Sequence, residues 1–229
     1  MHIQSHGISD IGKRRATNED VFAIFSDCGL YALADGMGGH RAGEVAAKMA
    51  IDVLHQNILS MDQTLPPLRR FLGAIAAVNQ HVHNQANQRK EWHGMGSTLS
   101  CLLAQEGQLF YAHVGDSRIY RYREELEQLT SDHIQKDGLR KRKITRAIGA
   151  SSTIDPEIGQ ISILPGDRFL ICSDGLTDSL SDLEIKTIME VPDLHLVCQK
   201  CIDDANYRGG HDNITVVILE CLFEQREET

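Results

Sequence analysis

The chain has 229 residues, 41% hydrophobic and 24% charged, with a formal net charge of -9. That length buries one substantial core, so a single domain is the expectation. The acidic balance argues against a nucleic-acid binder, whose affinity rests on Lys and Arg neutralising phosphates. No run approaches the ~20 apolar residues of a membrane span. The first ten residues hold no apolar core of the kind a secretory signal carries, and a cytoplasmic location follows as the default.

In chain order, strands are predicted over Val21–Phe25 and Leu30–Ala34. A long amphipathic helix follows, carrying Ala42, Val45, Ala46, Met49, Ala50, Val53 and Leu54 at helical spacing, then a second helix from about Leu68 to Gln88. Further strands are predicted over Thr98–Ala104, Gln108–Val114 and Ser117–Tyr122, and the basic stretch Ser131–Lys143 reads as irregular. Gly159–Ile163 and Arg168–Cys172 read as strands joined by the turn Pro165-Gly166-Asp167. Ser181 with Glu184 forms a capping box, and Asp193 caps a last helix that ends at Gly209-Gly210. Ile214–Cys221 closes the chain as a strand. Many strands plus two pairs of helices suggest an antiparallel sandwich with helical cover.

The six cysteines, Cys28, Cys101, Cys172, Cys198, Cys201 and Cys221, fall mostly in apolar runs and read as small buried hydrophobes. Cys198 and Cys201 form a C-x-x-C pair, but no second pair exists and the two share a helix face, so packing is the expected role.

The informative pattern is where the aspartates fall. Asp35, Asp116 and Asp174 end apolar strand runs beside glycine, and Asp20 and Asp212 immediately precede such runs. Each Asp-Gly alone reads as a turn. As a set, they are carboxylates projected from strand ends, where glycine lets backbone carbonyls approach a ligand. Carboxylates converging on one rim repel one another unless cations neutralise them, and an all-oxygen set suits Mg²⁺ or Mn²⁺ better than zinc.

The motifs containing these residues resemble the bacterial branch of the metal-dependent, type 2C protein serine/threonine phosphatase family. In order they are Arg15-Ala16-Thr17-Asn18-Glu19-Asp20, Ala34-Asp35-Gly36-Met37-Gly38-Gly39-His40, Gly96-Ser97-Thr98-Leu99, and Val114-Gly115-Asp116-Ser117-Arg118. Leu129-Thr130-Ser131-Asp132-His133, Thr145-Arg146-Ala147-Ile148-Gly149, Ser173-Asp174-Gly175-Leu176-Thr177-Asp178 and Asp212-Asn213-Ile214-Thr215-Val216-Val217 follow. The resemblance spans nearly the whole chain.

It implies an α+β fold, a four-layer αββα sandwich of two antiparallel sheets flanked by helices, with a metal site at one rim. It implies phosphoserine and phosphothreonine hydrolysis by water activated between two Mn²⁺ or Mg²⁺ ions, with a weaker third ion. By position, Asp35 resembles the carboxylate bridging two metals, with the Gly36 carbonyl as a further ligand. Asp174 and Asp212 resemble ligands of the second metal, Asp116 a holder of the third with Asp174, and Glu19 and Asp20 residues that hold metal-bound waters. Arg15 resembles the arginine that grips substrate phosphate, a task its planar fork suits better than Lys. The implied partners are phosphorylated proteins, a Ser/Thr kinase and its targets, met by a monomer with no nucleic-acid or membrane ligand.

Two departures stand out. Met37 occupies the place where eukaryotic relatives carry a histidine proposed as general acid; His40 is the nearest substitute, and His113, His133 and His211 read as packing or loop residues. The segment at about 131–155 is a shortened flap, and its Lys136, Arg140, Lys141, Arg142 and Lys143 suggest either a preference for acidic substrates or a solvated charge run. The rivals are a catalytically silent phosphatase-like binding module, a cysteine-dependent phosphatase and a metal-dependent nuclease. The metal-ligand positions are intact, no C-x-x-x-x-x-R sequence occurs, and the acidic charge disfavours nucleic acid.

Overall fold

The structure is a computed structural model that describes residues 2–37, 42–136 and 142–222. In chain order it contains β1 (His2–Asp10), β2 (Asp20–Phe25), β3 (Leu30–Met37), α1 (Ala42–Ser60), α2 (Pro67–Gln88), β4 (Gly96–Ser97), β5 (Leu99–Gln105) and β6 (Gln108–Val114). There follow β7 (Arg118–Arg123), β8 (Glu125–Gln128), β9 (Ile134–Lys136), β10 (Arg142–Ile144), β11 (Glu157–Ser162), β12 (Arg168–Cys172), α3 (Asp174–Thr177), α4 (Asp182–Met189), α5 (Leu194–Tyr207) and β13 (Ile214–Leu222).

Two antiparallel sheets form the centre. One has the order β1-β13-β12-β7-β8 and the other β11-β6-β5-β3-β2, with β4 paired to the end of β3. Their central strands are apolar almost without interruption because both faces are covered. Alternate residues sort by face. Tyr31, Leu33, Phe169, Ile171, Val217 and Leu219 meet between the sheets. Leu30, Ala32 and Ala34 turn outward, where α1 and α2 cover them with Ala46, Ala47, Ala50 and Phe71. Leu170, Cys172, Val216 and Ile218 turn the other way, under α4 and α5. Three apolar interfaces therefore separate four layers, and the expected αββα sandwich is the observed one.

Local signals match their predicted roles. Ser181 and Glu184 form the capping box of α4, and Asp193 accepts the backbone N–H groups of His195 and Leu196 at the start of α5. Cys198 and Cys201 are buried free thiols in the core under α5, and burial pushes the Cys198 thiol up to about 12. That suits packing rather than redox chemistry.

Several elements depart from the sequence reading, among them the short β4 and α3. β1 was not expected; it pairs with β13 over its whole length, from His2↔Leu222 to Asp10↔Ile214. β8 was also missed, an edge strand of sequence ELEQ. The stretch read as irregular contains a short antiparallel ribbon, with Ile134, Gln135 and Lys136 opposite Ile144, Lys143 and Arg142. Residues 137–141 between its strands, including Arg140 and Lys141 of the basic run, lie outside the described residues, as do the side chains of Lys136 and Arg142.

Candidate active site

One end of the two sheets gathers the acidic residues. Asp20 opens β2 directly opposite Asp35 on β3, so one rung of the ladder brings two carboxylates together. Asp174 lies just beyond β12 and Asp212 just before β13, in the facing sheet. Asp116 follows β6. Asp35, Asp116, Asp174 and Asp212 line one cleft of ≈ 450 Å³ with Arg15, Glu19, Gly36 and Met37, and Ile144 reaches it from the β9–β10 ribbon.

Short polar side chains fix the backbone of this rim. The Asp35 N–H donates to Thr98 Oγ1 at 2.9 Å, the Thr98 N–H returns to the Asp35 carbonyl at 2.8 Å, and Thr98 Oγ1 also meets Ser117 Oγ at 2.9 Å. Ser173 Oγ donates to Asp20 Oδ2 at 2.8 Å, tying one sheet to the other through the site. The Asn213 side chain accepts the Glu19 N–H and donates to the carbonyls of Ile11 and Thr17, which anchors the loop that carries Arg15. Gly36 and Gly43 are dictated by contact. A Cβ on Gly36 would stand 2.1 Å from the Gly43 carbonyl oxygen, and one on Gly43 would stand 2.3 Å from Glu19 Oε2. The start of α1 therefore packs directly on the end of β3 at Gly36.

The electrostatics are those of anions awaiting a cation. Burial, then the carboxylates of Asp20, Asp174, Asp116 and Asp212, push Asp35 well above the usual carboxylate range. Burial followed by Asp116 and Asp212 raises Asp174 to about 8, and burial raises Asp20 to about 6 despite bonds from Thr215 and Ser173. Asp20 Oδ1 and Asp174 Oδ1 are buried without a hydrogen-bond partner. Arg15 Nη2 donates to Asp212 Oδ2 at 2.5 Å, with the guanidinium side chain 53% exposed at the cleft mouth. Among the described residues, no three His, Cys, Asp or Glu side chains are already closed around a metal position; the carboxylates stand around the cleft. An all-oxygen donor set, orphaned buried carboxylate oxygens and upward-pushed pKa values fit hard divalent cations.

Every residue assigned from sequence except Asp20 contributes to the cleft wall, and Asp20 sits behind it, bonded to Ser173. No described histidine lines the cleft. His113 bridges Ser100 Oγ and the Gly115 carbonyl, and burial, with His133 beside it, pushes its pKa down to about 4. His40 lies outside the described residues. Sequence reasoning assigned no role to Ser173, Thr98 or Asn213, although each directly adjoins or belongs to a motif that bears a carboxylate; adjacency was the available signal.

A sequence profile described as protein phosphatase 2C matches residues 12–203. The protein phosphatase PhpP of Streptococcus pneumoniae is 35% identical over 243 residues, covering 96% of this chain and 98% of that protein. The crystal structure of the Mycobacterium tuberculosis serine/threonine phosphatase PstP superposes with a TM-score of 0.89 at 32% identity, covering 97% of this chain and 100% of that one. A structure of the PstP catalytic domain in complex with two manganese ions gives 0.87 at 33% identity, covering 96% of this chain and 99% of that one.

Proposed function

The chain belongs to the protein phosphatase 2C family and is a serine/threonine protein phosphatase, and from that premise we propose how its own residues do the work. The observation that carries the reading is the cleft itself: four aspartates from two sheets around one space, with Arg15 at its mouth. Asp35, the Gly36 carbonyl, Asp174 and Asp212 would hold two divalent cations, manganese by analogy with the relative solved with that metal. Asp116 with Asp174 offers a third, weaker position. Cations held there would neutralise phosphate charge and supply water acidic enough to be a nucleophile at neutral pH.

The protein supplies placement. Thr98 and Ser117 fix Asp35 from behind, and Ser173 holds one oxygen of Asp20 behind the cleft wall. Glu19 and Asp20 orient water rather than touch phosphate. Arg15 exchanges its bond to Asp212 for the phosphate oxygens, and Asn213 keeps its loop in reach. Arg15→Ala should lower kcat/KM on a phosphothreonine peptide about 10²–10³-fold, with Arg15→Lys recovering only part because an ammonium cannot form the fork. Equal kinetics for the wild type and Arg15→Ala would remove Arg15 from phosphate binding.

We further read residues 1–229 as one catalytic domain with a reduced flap, acting as a monomer in the cytoplasm on proteins phosphorylated by a bacterial-type Ser/Thr kinase. Support for the location is that no helix among the described residues is long and apolar enough to cross a membrane. The deciding experiment is phosphate release from a phosphothreonine peptide with Mn²⁺, with Mg²⁺ and with chelator. Turnover that needs the metal is expected. A folded protein silent with every metal would instead be a phosphatase-like binding module.

A further inference from the structure

A second cavity lies at the opposite end of the sheets from the carboxylates. Asp35 sits at one end of β3, and the Ser26–Gly29 turn that borders this cavity precedes the other end, roughly 17 Å away at ~3.3 Å per strand residue. The cavity measures ≈ 880 Å³, larger than the acidic cleft. Its walls come from the β2–β3 turn, the β5–β6 turn and the junction of α1 and α2, with Tyr31, Ile58, Leu103 and Ile163 as apolar lining.

Arg70, in the first turn of α2, forms part of that wall and is only 4% exposed. Its two Nη groups donate to the side-chain oxygens of Gln63 and Gln105, which are neutral. Its Nε is buried without a hydrogen-bond partner. No ion pair involves Arg70 among the described residues, whereas Arg118, Arg121, Arg123 and Arg168, the partly or fully buried arginines described in the sheets, each pair with a carboxylate. The acids nearby are all exposed: Asp27 and Glu106 on the outer lip, and Asp62, whose pKa is lowered first by bonds from Thr64 and only lastly by Arg70. Solvated rim charges are screened and do not replace a counter-ion in contact.

Burying a guanidinium without an anion is costly, and a well-placed anion on its free Nε offsets that cost. A concave site with apolar walls and a few convergent polar groups is also where small molecules bind; here Arg70 is the buried charge, and Asp27 and Glu106 are exposed ones. We propose that this cavity is a binding site for a small organic anion, a carboxylate or phosphoryl group on an apolar body, held by Arg70. The site is separate from the catalytic cleft and does not depend on the reading of that cleft.

Cys28 provides the readout. It lines the cavity and is the one cysteine of the six that is not fully buried. The metal-loaded protein is alkylated with neutral iodoacetamide in the presence of benzoate, phenylphosphonate or neutral benzamide, and modification of Cys28 is followed by peptide mass spectrometry. An anion at ten times its Kd should slow Cys28 alkylation about tenfold, and benzamide should not. Benzoate and phenylphosphonate distinguish a carboxylate from a phosphoryl preference. Protection should vanish in Arg70→Met, which keeps the side-chain volume, and should persist in Arg15→Ala, whose defect is confined to the catalytic cleft. Leu59→Glu, an exposed change at the mouth, should weaken protection severalfold while Leu59→Gln does not, which keeps the test valid if Arg70→Met folds poorly. Unchanged alkylation with both anions, or equal protection in Leu59→Glu and the wild type, would overturn the proposal and leave Arg70 as a clamp between the α1–α2 loop and β5.

Discussion

Asp174→Asn should abolish phosphatase activity while making the metal-free protein more stable. The carboxylate stands beyond the end of β12 with its Oδ1 buried and unbonded, and burial with Asp116 and Asp212 raises its pKa to about 8. Without a cation it must either take up a proton or bear a repelled charge in a desolvated place, so an amide of the same shape removes a penalty. With a cation it is a ligand, and the amide is a poorer one. Losing several kcal/mol of charge stabilisation corresponds to a fall in kcat/KM of at least about 10³-fold. The metal-free melting temperature should rise by roughly 2–8 °C, for ~1–2 kcal/mol in a chain of this size. Stopped turnover on a phosphothreonine peptide, paired with that rise by calorimetry, would be the signature of a ligand. Retained activity would make Asp174 the turn residue that any single Asp-Gly suggests. Asp182→Asn, at an exposed carboxylate that bonds the Tyr120 hydroxyl, should leave turnover unchanged.

The opposite response of stability and activity also shows why this site was legible in sequence. A carboxylate at the end of a buried strand is a local contradiction, because the strand's apolar run demands burial and the charge resists it. Asp35, Asp116 and Asp174 each carry that contradiction, but each alone also reads as a turn; the set and the motifs around it made the site legible. The central strands were equally plain, since burial on both faces leaves unbroken apolar runs such as Phe169–Cys172.

What could not be read depends on contacts distant in sequence. β1, with the sequence HIQSHGISD, offers little apolar periodicity and is a strand because β13 presents an unpaired edge to it. β8 is an edge strand of mostly polar residues paired only with β7. Ser173 bonds Asp20 across 153 positions, and Asn213 reaches Ile11 across 202. Such partners are set by topology. Arg70 is the sharpest case: in sequence it is one of two adjacent arginines on an amphipathic helix, Arg69 and Arg70, yet Arg69 is exposed and Arg70 is buried in the wall of a cavity.

The carboxylate cluster also predicts how stability without metal should vary with pH. Asp35, Asp174 and Asp20 have native pKa values above the unfolded value of about 3.9, so the native state binds the extra protons and stability falls as pH rises through the native values. Buried His113 and His133, both shifted downward, act in the opposite sense, but only below about pH 6.5, where the unfolded imidazoles begin to take up protons. Raised cysteine thiols would add to the fall only above about pH 8. Between about pH 6.5 and 8 the slope therefore carries at least the proton of Asp174, whose native pKa is about 8. At ~1.4 kcal/mol per pH unit for each extra proton held by the native state, the metal-free melting temperature should drop roughly 4–8 °C across that window. Divalent cations need the ionised carboxylates, so bound metal should flatten the slope and stabilise more at the upper end. At a metal concentration of about 100 Kd the gain is ~2.7 kcal/mol, or about 5–11 °C. Calorimetry with chelator and with Mn²⁺ across the window reads both effects. A metal-free melting temperature that rises from pH 6.5 to 8, or a Mn²⁺ shift equal at the two ends, would mean that the aspartates around this cleft do not titrate as a repelling cluster relieved by metal.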